Sequence, residues 1–127
     1  MSYKKTVVTV ICAIALLSTL VSCGGRPIDM VKNGTFNAYP DVTVGEMIDA
    51  IKDESVRVTW EQFKTDGEIY VDATITNSDT DTEILIHFII LDRSEGSWGI
   101  NAVELDGEGY DADLALEEIF ESYEATL

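Results

Sequence analysis

The spacing of apolar residues along the chain predicts first a helix and then a series of strands. Between residues 43 and 53 the apolar residues recur at helical spacing, at Val44, Met47, Ile48 and Ile51. This pattern predicts a short amphipathic helix over about 43–53. Thr43 stands three residues before Glu46, which is the arrangement of a capping box at the start of that helix.

The period changes to two after the helix. Residues 56–61 alternate between apolar and polar, with Val56, Val58 and Trp60 on one side, and residues 69–76 alternate in the same way. The turn signal Asp66-Gly67 separates the two runs. Together they predict an antiparallel hairpin with one face half exposed to solvent.

Two further strands follow the hairpin. After a polar turn at 77–82, the run Ile84–Leu91 is apolar at nearly every position, which predicts a central strand covered on both faces. A second turn at 93–97 precedes the fourth predicted strand, Trp98–Leu105, which ends near Asp106-Gly107.

The remaining elements lie before and after these strands. Asn33-Gly34 is a strong turn signal and predicts a small hairpin within 28–36. Near the C terminus, Asp111 or Asp113 can cap a last helix, one side of which carries Leu116, Ile119, Phe120 and Tyr123. The predicted fold class is α+β, a four-stranded antiparallel meander with an N-terminal and a C-terminal helix packed on one face.

The N-terminal segment has the layout of an export signal. Lys4 and Lys5 precede an uncharged and mainly apolar run from Thr6 to Gly25. Within it, Leu20-Val21-Ser22-Cys23 resembles the lipobox of bacterial lipoproteins. The resemblance implies that the chain is cut before Cys23, that the Cys23 thiol is diacylated, and that the new amino terminus is often acylated as well, for example with palmitate.

Two alternatives remain open for this segment. The twenty uncharged residues could just cross a bilayer as an uncleaved helix, although five Ser and Thr residues dilute their hydrophobicity. A secreted protein cut at another position would leave Cys23 unexplained. We favour the lipoprotein, with a signal peptide over 1–22, a lipidated tether over 23–27 and a single α+β domain over 28–127.

The lipobox also predicts a location. Gly24 follows Cys23 in place of the aspartate that is associated with inner-membrane retention. We therefore expect the lipid on Cys23 to anchor the protein in the cell envelope. The anchor would lie in the outer membrane of a diderm host or at the outer face of the plasma membrane of a monoderm host.

Charge and cysteine content narrow the class of function. The chain has 127 residues, the size of one domain plus a short segment, and a formal net charge of -16. Loss of Lys4 and Lys5 with the signal leaves 6 basic residues against 24 acids, or -18. Such a chain is unsuited to nucleic acid and suited to cations or basic proteins. The two cysteines exclude a disulfide-rich scaffold, and with Cys12 removed and Cys23 lipidated no disulfide is expected.

Candidate catalytic and metal-binding residues are sparse. His87 is the only histidine, and the sequence shows no orienting partner near it, so we expect a partly buried structural residue. Residues 106–117 resemble a calcium loop, but Tyr110 and Asp111 occupy its fifth and sixth positions, where a ligand and a glycine belong. We favour a solvated acidic surface there. The sequence carries no nucleophile motif and no phosphate loop, and we predict no catalytic residue, metal or cofactor.

Aromatic residues are the better candidates for binding. Phe63 and Tyr70 fall on the solvent-facing side of the predicted hairpin, and Trp98 follows a glycine-containing turn. Aromatic side chains concentrate binding energy in interfaces. We assign Trp60 and Phe88 to the core and keep Phe63, Tyr70 and Trp98 as candidate binding residues.

Residues 28–107 are similar to small bacterial lipoproteins. The likeness lies in Val31-x-Asn33-Gly34-Thr35, in Tyr39-Pro40, in Thr43-Val44-Gly45-Glu46 and in Trp60-x-x-Phe63 before an Ile-rich strand. These motifs form caps, turns and core, so the resemblance implies a location and a fold but no catalytic residue.

Three hypotheses about function follow. The first is a non-enzymatic envelope lipoprotein that binds another protein or an envelope component, with its oligomeric state left open. The second is an acidic inhibitor or decoy of a cationic protein, such as a lysozyme or an antimicrobial peptide. The third is a small hydrolase or accessory enzyme. A cleft of polar side chains would favour the enzyme, and a flat aromatic patch on the sheet would favour binding.

Overall fold

Three helices and five strands make up the described part of the chain. A computed structural model of the protein describes residues 26–127. The predicted signal peptide, the lipobox with Cys23 and the start of the tether lie outside the described residues. In chain order the elements are α1 (Pro27–Asn33), α2 (Val44–Asp49), β1 (Val56–Thr65), β2 (Glu68–Asn77), β3 (Thr82–Asp92), β4 (Ser97–Leu105), β5 (Glu108–Gly109) and α3 (Ala112–Glu124).

The strands form one antiparallel sheet in the order β1-β2-β3-β4-β5. The α+β class and the meander are confirmed, but the predicted count of four strands is wrong. Asp106 and Gly107 both have positive φ, at 53° and 87°, the backbone of a tight hairpin turn. That turn sends the chain back along β4, so that Glu104 pairs with Gly109 and a two-residue fifth strand forms.

The predicted hairpin within 28–36 is also wrong, because these residues begin with helix α1. Pro27 occupies the first turn, where its missing N–H costs nothing, and Val31 is fully buried. Gly34 follows the helix in an extended conformation with φ of -82°. A Cβ at this position would lie 2.7 Å from the Trp98 indole. The glycine of Asn33-Gly34 therefore permits a close approach to Trp98 rather than a turn.

Helix α2 confirms the predicted capping box. The Thr43 hydroxyl accepts from the Glu46 N–H at 3.1 Å, and a Glu46 carboxylate oxygen accepts from the Thr43 N–H at 3.4 Å. The helix ends at Asp49, earlier than the predicted residue 53. Asp53 instead accepts hydrogen bonds from the N–H groups of Ser55 and Val56, which turns the chain into β1.

One apolar cluster joins all three helices to one face of the sheet. Its largest fully buried side chains are Phe88, Met47, Ile48, Ile86, Val31, Val44 and Val71. The predicted last helix is confirmed as α3, with Asp111 as its cap, since the Asp111 carboxylate accepts from the Leu114 N–H at 3.1 Å.

Strand β3 is central, as predicted, but its two faces differ. Ile86, Phe88 and Ile90 are buried beneath the helices. His87 and Ile89 on the other face are only partly buried, and Leu91 is 66 % exposed. Within residues 26–127, the expectation that the strand is covered on both faces is therefore wrong for this second face. Because the three helices of this part of the chain gather on one side, the alternate residues of the strands form a face that none of these helices covers, and we call it the open face.

A polar network ties two helices to β1 on the covered side. Asp49 accepts a hydrogen bond from Trp60 Nε1 at 3.1 Å and forms an ion pair with Lys32 Nζ at 3.1 Å. The Lys32 ammonium also lies 5.3 Å from the Trp60 ring centroid. Burial raises the pKa of Asp49, but the hydrogen bonds from Trp60 and Lys32 and the charges of Lys32 and Lys52 outweigh burial. The net result is a pKa below the usual 3.8.

Candidate binding face

The open face of the sheet brings two of the predicted binding residues together. Phe63 on β1 is the direct partner of Tyr70 on β2, so the two side chains point to the same face. Their rings are stacked, with centroids 5.5 Å apart and an angle of 28° between the planes. The prediction that these two residues lie on the same side of the hairpin is thereby confirmed, but Phe63 is buried and does not face solvent as expected.

His87 completes this aromatic group. Its ring stacks on Tyr70 at a centroid distance of 4.6 Å and lies 5.7 Å from Phe63. Stacked and edge-to-face aromatic pairs contribute about 0.5–1.5 kcal/mol beyond the area they bury. Phe63 is 7 % exposed, whereas Tyr70 and His87 are partly exposed. The group therefore presents Tyr70 and His87 to solvent over a buried Phe63.

A buried carboxylate orients the imidazole. Asp72 pairs with His87 across the β2–β3 ladder, and its carboxylate is hydrogen-bonded to His87 Nδ1. The Asp72 side chain is 3 % exposed and that of His87 17 % exposed. A carboxylate at Nδ1 fixes the ring orientation and leaves Nε2 as the nitrogen that can meet a ligand.

The cross-strand row that contains this pair is chemically unusual. Glu61 on β1 lies directly opposite Asp72, and like charges at opposed positions destabilise a sheet. The hydrogen bond between Asp72 and His87 offsets part of this cost. We call the four side chains Phe63, Tyr70, Asp72 and His87 the open-face cluster.

Sequence analysis missed the partner of His87. Asp72 is fifteen positions away along the chain, and no local motif links the two residues. The signal was available in the predicted turn at 77–82, because pairing Asn77 with Thr82 places Asp72 opposite His87. His87 is partly buried, as expected, but it has an orienting partner that its neighbours in sequence do not reveal.

Trp98, the third predicted binding residue, lies on the covered side of the sheet. It pairs with Ile90 on β3. Its ring makes edge-on contacts with Phe36, at 5.9 Å between centroids, and with Phe88, at 5.4 Å. Trp98 also lines a cavity of about 460 Å³ next to Leu116. The structure therefore does not bring Trp98 together with Phe63 and Tyr70.

The two aromatic residues assigned to the core lie there. Phe88 is fully buried, and Trp60 packs against the core cluster as a partly buried residue. The two rings stack with centroids 6.3 Å apart.

Several residues of the stretch that resembles a calcium loop have structural roles. Asp106 accepts a hydrogen bond from the Glu83 N–H at 2.8 Å, and Asp111 caps α3. The Tyr110 hydroxyl donates to Glu118 at 2.8 Å, and this hydrogen bond raises the pKa of Tyr110 above its usual 10.0. Within residues 26–127, no three His, Cys, Asp or Glu side chains lie close enough together to hold a metal ion.

A cavity of about 970 Å³ lies at the end of the sheet where β1 begins. Five acidic residues line it, namely Asp53, Glu54, Asp81, Glu83 and Asp106, together with the basic residues Lys52 and Arg57. This acidic end is separate from the open-face cluster, which lies towards the middle and the opposite end of the strands.

No protein-family model, no curated protein and no solved structure matches this chain. Across residues 26–127, none of the helices is both long enough and apolar enough to span a membrane. The open-face cluster is therefore interpreted from its own geometry.

Proposed function

We propose that this protein is a lipid-anchored lipoprotein of the bacterial envelope, and that its domain binds a partner protein through the open face of the sheet. The observation that carries the proposal is the stacking of Tyr70 and His87 over buried Phe63 and Asp72, on the face that no helix of residues 26–127 covers. This geometry combines an aromatic surface with an imidazole of fixed orientation.

The shape of the cluster favours binding over hydrolysis. Tyr70 and His87 lie side by side on the face of the sheet and line neither of the two cavities described above. Stacked rings on a rigid sheet lose little conformational freedom on association, which is why such residues dominate binding energies. Asp72 holds His87 in place, so a partner would meet an imidazole that is already oriented.

The experiment for binding uses a photo-crosslinking amino acid at two exposed leucines. Leu91 is 66 % exposed on the open face, and Leu114 is 51 % exposed on helix α3, which makes it a matched control. In cells, the probe at position 91 should crosslink a partner protein that the probe at position 114 does not. Tyr70→Ala should abolish that crosslink, and Tyr110→Ala should leave it intact. Equal crosslinking from both probes would refute the open face as the binding site.

The lipobox-like sequence at 20–23 supports the proposed location. Cys23 stands four residues before Pro27, the first residue of α1, so the tether between lipid and domain is short. Two or three acyl chains on Cys23 would hold the domain stably at a membrane surface. Cys23→Ser should abolish lipidation and leave an unprocessed precursor. Mass spectrometry that finds an unlipidated mature N terminus at another position in the wild type would contradict the anchor.

A second candidate is the capture of a cationic protein by the acidic surface. The observation that favours it is helix α3, on which Glu117, Glu118, Glu121 and Glu124 are all exposed. A charge of this kind accelerates the encounter with a basic protein at low salt. Changing the four residues to Gln should slow association with lysozyme severalfold at low ionic strength and leave dissociation little changed. A salt-independent association rate would exclude this candidate.

A further inference from the structure

The two edges of the sheet are built differently. At one edge, β5 has only two residues, and the pairing of β4 with β3 shifts register at His87/Phe88 and at Ile90/Asp92. Short strands and irregular pairing are the usual protection of a sheet edge. At the other edge, β1 has ten residues and pairs with β2 without a register shift. The β1 edge is therefore the long and regular one.

The outer side of β1 is open between Arg57 and Glu61. Within residues 26–127, no backbone hydrogen bond outside the β1–β2 ladder involves these five residues. Arg57 and Thr59 are exposed. Val58 and Trp60 pack against the core and are still partly exposed, so the apolar cluster reaches the edge of the sheet.

The charges along the β1 edge of one copy are complementary to those along the β1 edge of a second copy that runs antiparallel to it. In an antiparallel pair of two β1 strands related by a two-fold axis at Thr59, Arg57 of each copy faces Glu61 of the other. Val58 faces Trp60 of the second copy on the covered side, and the two Thr59 residues face each other. Facing residues point to the same side of the joined sheet, as the pleat requires.

We propose that the β1 edge pairs with the β1 edge of a second copy of this chain, centred on Thr59, to give a ten-stranded sheet. Moving the axis to Glu61 would place the two Glu61 carboxylates against each other. Moving it to Val58 would place Arg57 opposite Thr59 of the second copy and so lose both Arg57–Glu61 pairs. If the axis instead passes between two residues, each residue from the covered side of one copy faces a residue from the open side of the other. The axis at Thr59 avoids all of these conflicts.

The net charge of the chain also favours this edge over any other strand. β1 is the one strand of the described sheet with a net positive charge, since Arg57 and Lys64 outnumber Glu61. Two copies that meet along β1 therefore bring together the least acidic part of two acidic domains, which limits their electrostatic repulsion.

A cysteine at the axis tests the register directly. In the full-length chain extracted from membranes in a mild detergent, Thr59→Cys should form a disulfide-linked dimer under mild oxidation, above the background of the wild-type cysteines. Thr65→Cys is the matched control, because Thr65 lies exposed at the far end of the same strand, away from the axis, so the two copies of Thr65 do not meet. Failure of Thr59→Cys to crosslink, equal crosslinking from both positions, or crosslinking of the Thr59→Cys variant to a different protein would each overturn the proposal.

Exchanging the charges of Arg57 and Glu61 tests whether their ion pairs stabilise the dimer. Arg57→Glu should raise the dimer dissociation constant about tenfold, because two attractive cross-strand pairs become repulsive. The double variant Arg57→Glu with Glu61→Arg should restore wild-type dimerisation in analytical ultracentrifugation. Arg93→Glu, which makes the same change in net charge at the β3–β4 turn, should have little effect. Dimerisation that is insensitive to Arg57→Glu, or a double variant that fails to recover, would refute the ion pairs. Tyr70→Ala should leave the dimer intact, which separates this inference from the proposed partner site.

Discussion

The two faces of the sheet are made from the same strands, yet they bury different kinds of side chain. Beneath the helices, Ile86 and Phe88 are fully buried in an apolar cluster. On the open face, the neighbouring positions carry His87 and its partner Asp72, a carboxylate with a side chain only 3 % exposed. A buried ionisable pair contributes less to stability than apolar residues of the same volume. The stability of the fold thus explains the residues of the covered face. It does not explain the buried pair of the open face, for which we propose a role in binding.

The largest loss of stability should come from a substitution on the covered face. Phe88→Ala removes a fully buried ring that contacts Phe36, Trp60 and Trp98, and it should lower the free energy of unfolding by about 4 kcal/mol. Tyr70→Ala on the open face should lower it by about 1 kcal/mol, because Tyr70 is partly exposed. Urea denaturation of the two variants measures both values. Equal losses would show that the two faces contribute alike to folding.

The next largest loss of stability should come from removing either member of the Asp72–His87 pair. Asp72→Ala leaves the His87 ring without its carboxylate partner, and the free energy of unfolding should fall by about 2 kcal/mol. His87→Ala leaves Asp72 buried and should cost a similar amount. The double variant should cost less than the sum of the single variants, because the two side chains interact directly. Strict additivity would mean that the pair does not contribute as a unit.

Helix capping on the covered side should have a smaller effect. Thr43→Ala removes the cap of α2, whose Met47 and Ile48 are fully buried, and it should cost about 1 kcal/mol. Glu46→Gln is the control, since glutamine also completes a capping box. Thermal unfolding of both variants tests the cap. A Thr43→Ala variant as stable as the wild type would show that packing alone holds α2 in place.

The smallest effect is the pH-dependent contribution of Asp49, on the covered side of the sheet, to the stability of the fold. Burial acts to raise the pKa of Asp49, but the hydrogen bonds from Trp60 and Lys32 together with the charges of Lys32 and Lys52 outweigh it, so the pKa is lowered. A lowered pKa stabilises the folded state above the unfolded-state value and loses that contribution as the pH falls through the folded-state value. The stability difference between wild type and Asp49→Asn should therefore shrink as the pH falls below about 4. A constant difference in melting temperature over that range would contradict the assignment.

Local signals in the sequence predicted much of this fold. The capping box at Thr43 and Glu46 and the Asp111 cap each depend on residues a few positions apart, and both are confirmed. The Asp66-Gly67 turn is confirmed for the same reason, with positive φ at both residues. Asn33-Gly34 led to the wrong prediction of a hairpin, because the same dipeptide suits a hairpin turn and the end of a helix. Pro27 in the first turn and the burial of Val31 in the core favour the helix, and the burial is not visible in the dipeptide.

The sequence predicts one part of the candidate site and not the rest. Alternation along the hairpin was enough to place Phe63 and Tyr70 on one face. The pairing of Asp72 with His87 depends on the register between β2 and β3, and Trp98 depends on which side the helices occupy. These are relations between elements, and a periodic pattern within one element does not contain them.

The order of the strands has a consequence for how fast the domain forms. Every strand of the meander pairs with its neighbour in sequence, from β1 to β5. Such local contacts are reached by closing short loops, so the entropic barrier to folding is low and the folding rate is high. Rapid assembly of successive hairpins shortens the time for which the apolar strands are exposed and able to aggregate.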